Sequence, residues 1–156
     1  MITYRKAELS DIQTIQNFTD FWLAGRGKRQ GVPGSSNDCF ISTGQHIGYL
    51  KKSTVLLCFD NEKIIGWAVK HYNGSLIHLL IAAPYRNQGI GSTMLRMLNP
   101  PRIRSKTDQS TGNPTPFYEK FGYEKVRSET SRPTFYIPKK RRTPQKNIDV
   151  LEKKTT

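Results

Sequence analysis

Long apolar runs are missing from this sequence. Nothing in it approaches the roughly 18–20 residues that a bilayer-spanning helix needs, and hydrophobic residues make up only 35% of the 156. Membrane-spanning classes are set aside on that ground, and no membrane partner is expected. The opening Met1-Ile2-Thr3-Tyr4-Arg5-Lys6 also lacks the apolar stretch of a secretory signal, so the expectation is a soluble, cytoplasmic protein. Cysteine is scarce: Cys39 and Cys58 are the only two, with no CxxC pair, and His46, His71 and His78 are the only histidines. A disulfide framework or a zinc site needs more than this, so neither redox chemistry nor a metal is expected.

Acidic residues are the third shortage. Asp and Glu number 12 against 25 Lys and Arg, a formal net charge of +13. Seven of the positives and two of the negatives lie in residues 139–156, which leaves 18 against 10 in residues 1–138. The excess therefore belongs to the whole chain. A basic surface of this size attracts polyanions through counterion release, which makes nucleic acid one candidate partner. A solvated basic face that aids solubility is the other reading of the same residues.

The length suits one domain with a sizeable core. Ile2 to Arg5 has strand character, and Asp11 is placed to cap a helix in which Ile12, Ile15 and Phe18 recur at helical spacing, continued by Phe21 and Trp22. From Ala24 to Thr43, glycines are interleaved with Arg26, Lys28 and Arg29, and a loop is expected. Thr54–Phe59 and Ile64–Val69 read as strands joined by the turn chemistry of Asp60-Asn61-Glu62-Lys63. Asn73-Gly74 marks a tight turn into a third strand, Ser75 to Ile81.

That strand runs into Tyr85-Arg86-Asn87-Gln88-Gly89-Ile90-Gly91-Ser92, and then into an apolar-periodic helix that stops at Pro100-Pro101. Gly89 and Gly91 have no side chain to keep a ligand from the backbone. The free amides and positive dipole end of a helix that starts there suit a pyrophosphate. Glycines also stand at helix ends for backbone reasons alone, and the local pattern leaves both readings open.

The wider context favours the first. Arg86-x-x-Gly89-x-Gly91 after a strand resembles the acyl-CoA pyrophosphate loop of the GNAT superfamily of N-acetyltransferases. Ile2–Ala7 with Asp11 is similar to that family's first strand and helix, and Ile64-Ile65-Gly66-Trp67 to its third strand. Phe117-Tyr118-Glu119-Lys120-Phe121-Gly122-Tyr123, after the strand-like Arg102–Ser105, resembles its tyrosine segment. The likeness covers about residues 2–125. It implies an α/β (α+β) fold: a mixed, mostly antiparallel central sheet flanked by helices, with strands 4 and 5 splayed to admit the cofactor. It also implies acetyl-CoA, or another acyl-CoA, as donor, and direct transfer of the acyl group to an amine.

The same resemblance implies roles. Backbone groups of Leu79 and Ile81 pair with the pantetheine amides. Arg86 and the backbone amides of Gln88, Gly89, Ile90, Gly91 and Ser92 hold the pyrophosphate. Tyr118 protonates the departing thiolate; read without the resemblance, it is a half-buried aromatic on a short helix. The fourth strand has no Asp or Glu, the family's familiar base; His78 is the nearest titratable candidate for that role, with a structural or solvent-facing histidine as the other reading of the residue and a water chain as the other route for the proton. The family's asparagine six residues before Phe117 is here Thr111, with Asn113 nearby, and Pro116 places the following helix start late.

The resemblance also implies that the segment after the first helix, with Trp22, Arg26, Lys28 and Arg29, shapes the acceptor site; cations beside aromatic rings there suit a phosphate backbone or an unstacked base, and equally an acidic protein or a phosphorylated metabolite. An enzyme that modifies DNA or RNA bases on this scaffold, and a basic nucleic-acid-binding module without catalysis, remain as alternatives. The domain is expected to span 1–138, with its last strand at Thr134–Ile137 and a flexible basic tail over 139–156, in a monomer or homodimer.

Overall fold

A computed structural model describes residues 1–25, 41–106, 113–131 and 146–154. Seven strands run through them: β1 (Ile2–Lys6), β2 (Thr54–Asp60), β3 (Lys63–Lys70), β4 (Ser75–Ile81), β5 (Arg102–Lys106), β6 (Tyr123–Ser131) and β7 (Lys146–Lys153). They form one sheet in the order β1-β2-β3-β4-β5-β7-β6, antiparallel except for the β4–β5 pair. Four α-helices flank it: α1 (Ile12–Thr19), α2 (Thr43–Lys52), α3 (Ile90–Leu98) and α4 (Thr115–Glu119). The mixed, mostly antiparallel sheet with flanking helices expected from the sequence is what the chain forms. No helix among the described residues is long and apolar enough to cross a membrane.

The strands follow from turn chemistry and burial. Asn61 takes the left-handed φ of 55° that closes the two-residue β2–β3 turn, and Gly74, at φ 94°, closes the next. β2 and β3 lie in the middle of the molecule, where Leu57, Cys58, Ile65, Ala68 and Val69 are wholly buried. Their near-continuous apolar runs reflect cover on both faces. On one face, α2 brings His46 edge-on to Trp67 with ring centroids 5.6 Å apart. On the other, α3 lies directly over Gly66, where a Cβ would come within 3.1 Å of Ile81 and Met94.

Three expectations need correction. The loop expected as far as Thr43 ends earlier, because Ser42 and Gln45 form a reciprocal capping box that starts α2 at Thr43. Asp11 does stand at the N-cap position of α1, but its side chain makes no capping bond to that helix. Its carboxylate accepts from the Glu8 amide at 2.7 Å and pairs with Arg5, so it fixes the turn before the helix instead. The flexible tail expected over 139–156 is also not what Lys146–Lys153 forms. That segment is β7, hydrogen-bonded on both sides between β5 and β6. Ile148, Val150 and Leu151 are each no more than 2% exposed, and their burial outweighs the charged average composition that suggested a tail. Thr134–Ile137 and residues 139–145 lie outside the described residues.

One buried group makes stability depend on pH. His46 is 1% exposed, and its Nε2 lies 3.0 Å from Thr19 Oγ1. The threonine hydroxyl has its own acceptor in the Ile15 carbonyl at 3.0 Å, so it receives a proton from His46 Nε2. Burial lowers the His46 pKa to about 4, with the charge of Asp20 only partly offsetting it. The unfolded chain therefore binds a proton that the folded chain refuses. Stability is unaffected by this group above about pH 6.5 and falls as the pH drops toward 4, by about 3 kcal/mol in all. Thermal melts across that window should show the loss in the parent protein and a flatter profile in His46→Gln.

Candidate active site at the parting of β4 and β5

β4 and β5 are paired only at Ser75–Arg102 and Leu76–Ile103. A bulge lies just beyond. On the β3 side, Val69 pairs with His78 and Lys70 with Leu76, which leaves Ile77 unmatched. An extra residue shifts the alternation of side chains by one. Leu76 consequently shares the α3 face with Lys70, whose Nζ reaches the Leu98 carbonyl of α3. His78 shares the α2 face with Trp67, on which it stacks with centroids 4.9 Å apart. The Ala82 amide bonds the Ile65 carbonyl at 2.9 Å. By the alternation of an antiparallel pair, the backbone groups of Leu79 and Ile81 turn away from β3, toward the opening. The Ile81 carbonyl there accepts from Arg86 Nε at 3.0 Å.

The glycine loop sits at the end of this strand. Asn87 (φ 63°) and Gly89 (φ 82°) are both left-handed, and Gly89 is the residue that caps α3. Its carbonyl accepts from both the amide and the hydroxyl of Thr93. The amides of Ile90, Gly91 and Ser92 form the first turn, where no carbonyl a turn earlier can receive them. A Cβ built at Gly89 would meet nothing within 4 Å, so open space adjoins the positive end of α3. A Cβ at Gly91 would touch Phe117 at 3.5 Å, Ile81 at 3.8 Å and Leu79 at 4.0 Å. The α3 face of the opening is thereby walled by α4 on one side and β4 on the other. Loop, strand end and wall fit an extended ligand that carries a pyrophosphate.

Tyr118 lies on α4, 5% exposed, and burial drives its phenol well above the ordinary tyrosine range, with the Tyr123 phenol adding to the effect. Among the described residues its hydroxyl has no hydrogen-bond partner. A buried hydroxyl without a partner is costly. The start of α4 is tied to the sheet by Asp149 of β7, which accepts from Thr115 at 2.9 Å and Ser128 at 3.0 Å and pairs with Lys125 at 3.3 Å. Burial alone would raise the Asp149 pKa. Those three donors prevail and hold it below the usual carboxylate range.

Of the expected acceptor residues, Trp22 lies in a π-helical turn, Asp20–Gly25, with its ring edge-on to Phe21 at 4.8 Å. Arg26, Lys28 and Arg29 lie outside the described residues, as does Thr111. Asn113 is described, and its side chain accepts from the Thr115 amide at 3.1 Å. Sequence reasoning missed Tyr49, whose Oη lies 3.2 Å from His78 Nε2, together with Phe117 as a wall and Asp149 as an anchor. Only Tyr49 left a usable signal. The Ser42-x-x-Gln45 spacing announces a helix on which His46, Tyr49 and Leu50 fall on one side.

No curated protein matches the chain in sequence. Residues 51–125 match the family described as an acetyltransferase (GNAT) domain. Among solved structures the chain is similar to the acetyltransferase of the GNAT family from Streptococcus pneumoniae, at 16% identity, 98% of this chain, 99% of that one and a TM-score of 0.64. It is similar to the PaiA N-acetyltransferase of Thermoplasma acidophilum in complex with coenzyme A, at 15% identity, 99% of both chains and a TM-score of 0.63. It also resembles Arabidopsis thaliana Naa50 in complex with the bisubstrate analogue CoA-Ac-MVNAL, at 18% identity, 99% of both chains and a TM-score of 0.60. Identities this low speak for the fold alone, but the likeness runs beyond the matched domain to β1 at one end and β7 at the other. Residues 51–125 are thus similar to the acetyltransferase (GNAT) domain, and the chain as a whole has the fold of these GNAT acetyltransferases.

Proposed function

We propose that the chain is an acyl-CoA-dependent N-acyltransferase that moves an acetyl group from acetyl-CoA to a primary amine by direct attack. The observation that carries this reading is the parting of β4 from β5 after Leu76, with a helix N-terminus at its end and Phe117 of α4 against it. Acetyl-CoA bound there supplies an acyl group activated as a thioester. The amides of Gln88, Gly89, Ile90, Gly91 and Ser92, with the Arg86 guanidinium, would hold the pyrophosphate against the α3 dipole. Backbone groups of Leu79 and Ile81 would align the pantetheine as an added strand would be aligned. Tyr118, kept protonated by burial, has a proton to give where negative charge develops on sulfur. His78 is on the opposite face of the sheet, which separates the group serving the amine from the group serving the thiol.

The test is calorimetric titration with acetyl-CoA, followed by release of free CoA thiol in the presence of N-terminal peptides, a lysine peptide and spermidine. Binding with turnover of one of these amines supports the reading. Binding without turnover, together with salt-sensitive binding of a single-stranded oligonucleotide, favours the nucleic-acid alternatives. Failure to bind acetyl-CoA sinks the acyltransferase reading.

A further inference from the structure

We propose that the proton leaving the acceptor amine is taken by a Tyr49–His78 pair, in which the Tyr49 hydroxyl meets the amine and the His78 imidazole receives the proton. The inference rests on the acyltransferase reading and adds to it a residue from α2. Tyr49 Oη lies 3.2 Å from His78 Nε2, and the two rings are edge-on with centroids 5.5 Å apart. The imidazole is held from beneath by Trp67 at 4.9 Å and an interplanar angle of 27°. Trp67 is 1% exposed, which leaves that platform no room to shift. Tyr49 and His78 are each partly exposed, on the α2 face beside the point where β4 leaves β5.

The hydrogen bond decides which nitrogen is basic. Burial raises the Tyr49 pKa, so the hydroxyl keeps its proton, and in the proposed pair it donates that proton to Nε2. A neutral imidazole whose Nε2 accepts carries its own proton on Nδ1. The basic lone pair of His78 then lies behind the tyrosine oxygen and is reached through it. As the amine nitrogen forms its bond to the acyl carbon, its proton passes to Tyr49 Oη, and the tyrosine proton passes to Nε2. The hydroxyl is restored and the imidazole becomes imidazolium. Tyr118 loses one proton to the leaving sulfur, and solvent returns the proton held on His78 to Tyr118 once products have left.

Among the described residues, the groups near His78 come from α2 and β3. From α2 come Tyr49 and, across Trp67, the neutral His46, on which Asp20 acts. Among the described residues, the group bonded to Nε2 is Tyr49. A donor on Nε2 favours the uncharged ring, so removing it raises the His78 pKa and moves the acidic limb of the rate profile to higher pH.

The experiment combines nitrogen NMR of the histidine-labelled full chain with kinetics on the fastest amine of the panel above. His78 is assigned by its loss in His78→Gln. The expected tautomer carries its proton on Nδ1, and Tyr49→Phe is expected to raise the titration midpoint. In turnover, Tyr49→Phe and His78→Gln should each lower kcat by about 100-fold with KM for acetyl-CoA unchanged. The double variant should be no worse than either single one, as for two members of one relay. A His78 protonated on Nε2, a Tyr49→Phe enzyme that keeps its kcat, or a loss in Tyr49→Phe alone would each overturn the pair. None of these is the same result as a protein that fails to bind acetyl-CoA, which removes the underlying reading instead.

Discussion

Tyr118→Phe is expected to lower kcat for acetyl transfer by about 100-fold or more, with acetyl-CoA affinity unchanged and thermal stability no lower than the parent's. The combination is diagnostic because the two roles open to this residue predict opposite behaviour. If Tyr118 were only a packing residue, its ring would matter and its oxygen would not, so phenylalanine would be silent in turnover. As the proton donor to sulfur, the oxygen carries the effect. Burial holds the phenol protonated through the working pH range, so the proton is present when the thiolate forms. The hydroxyl has no protein partner among the described residues, and deleting it removes an unsatisfied buried group rather than a hydrogen bond. A variant that melts earlier and turns over normally would assign Tyr118 to the core.

The second large effect is expected at the helix start. Gly89→Glu should weaken acetyl-CoA binding by about 100-fold, since a carboxylate about 5 Å from a phosphate charge costs on the order of 3 kcal/mol at an effective dielectric constant near 20. Gly89 also has φ of 82°, so any side chain there carries backbone strain of roughly 1–2 kcal/mol. Gly89→Asn separates the two effects, because asparagine tolerates the left-handed region and brings no charge. Titration with acetyl-CoA should find the asparagine variant near the parent and the glutamate variant nearly inert. Equal losses in both would mean that backbone geometry, rather than charge at the positive end of α3, governs the site.

What could be read from the sequence was whatever local chemistry dictates. Asn61 and Gly74 announce their turns because few other residues adopt a positive φ cheaply. The β4–loop–α3 passage shows itself through a change of apolar period across a pair of glycines. The parts that escaped depend on distant partners. β7 looks like a charged tail until Asp149 meets Thr115, Ser128 and Lys125, and its apolar residues number too few to dominate a composition average. The bulge at Ile77 has no residue signature at all. It moves Leu76 to the α3 face, while His78 keeps the α2 face through its in-register pairing with Val69. α2 was legible in principle, since Ser42 and Gln45 carry a capping signature, but the glycine-rich stretch before it masked the transition.

The place of β7 between β5 and β6 bears on how the protein is made. A ribosome delivers β4, the glycine loop, α3, β5 and α4 well before it delivers residues 146–153, and domains complete their cores only when all their strands have emerged. Until then β5 has a bare edge, and Thr115 lacks the carboxylate that anchors α4. The strand that bounds one side of the opening and the helix that carries Tyr118 therefore wait on a strand synthesised after both. A nascent chain halted short of it would hold most of the sheet, yet the opening between β4 and β5 would be unfinished.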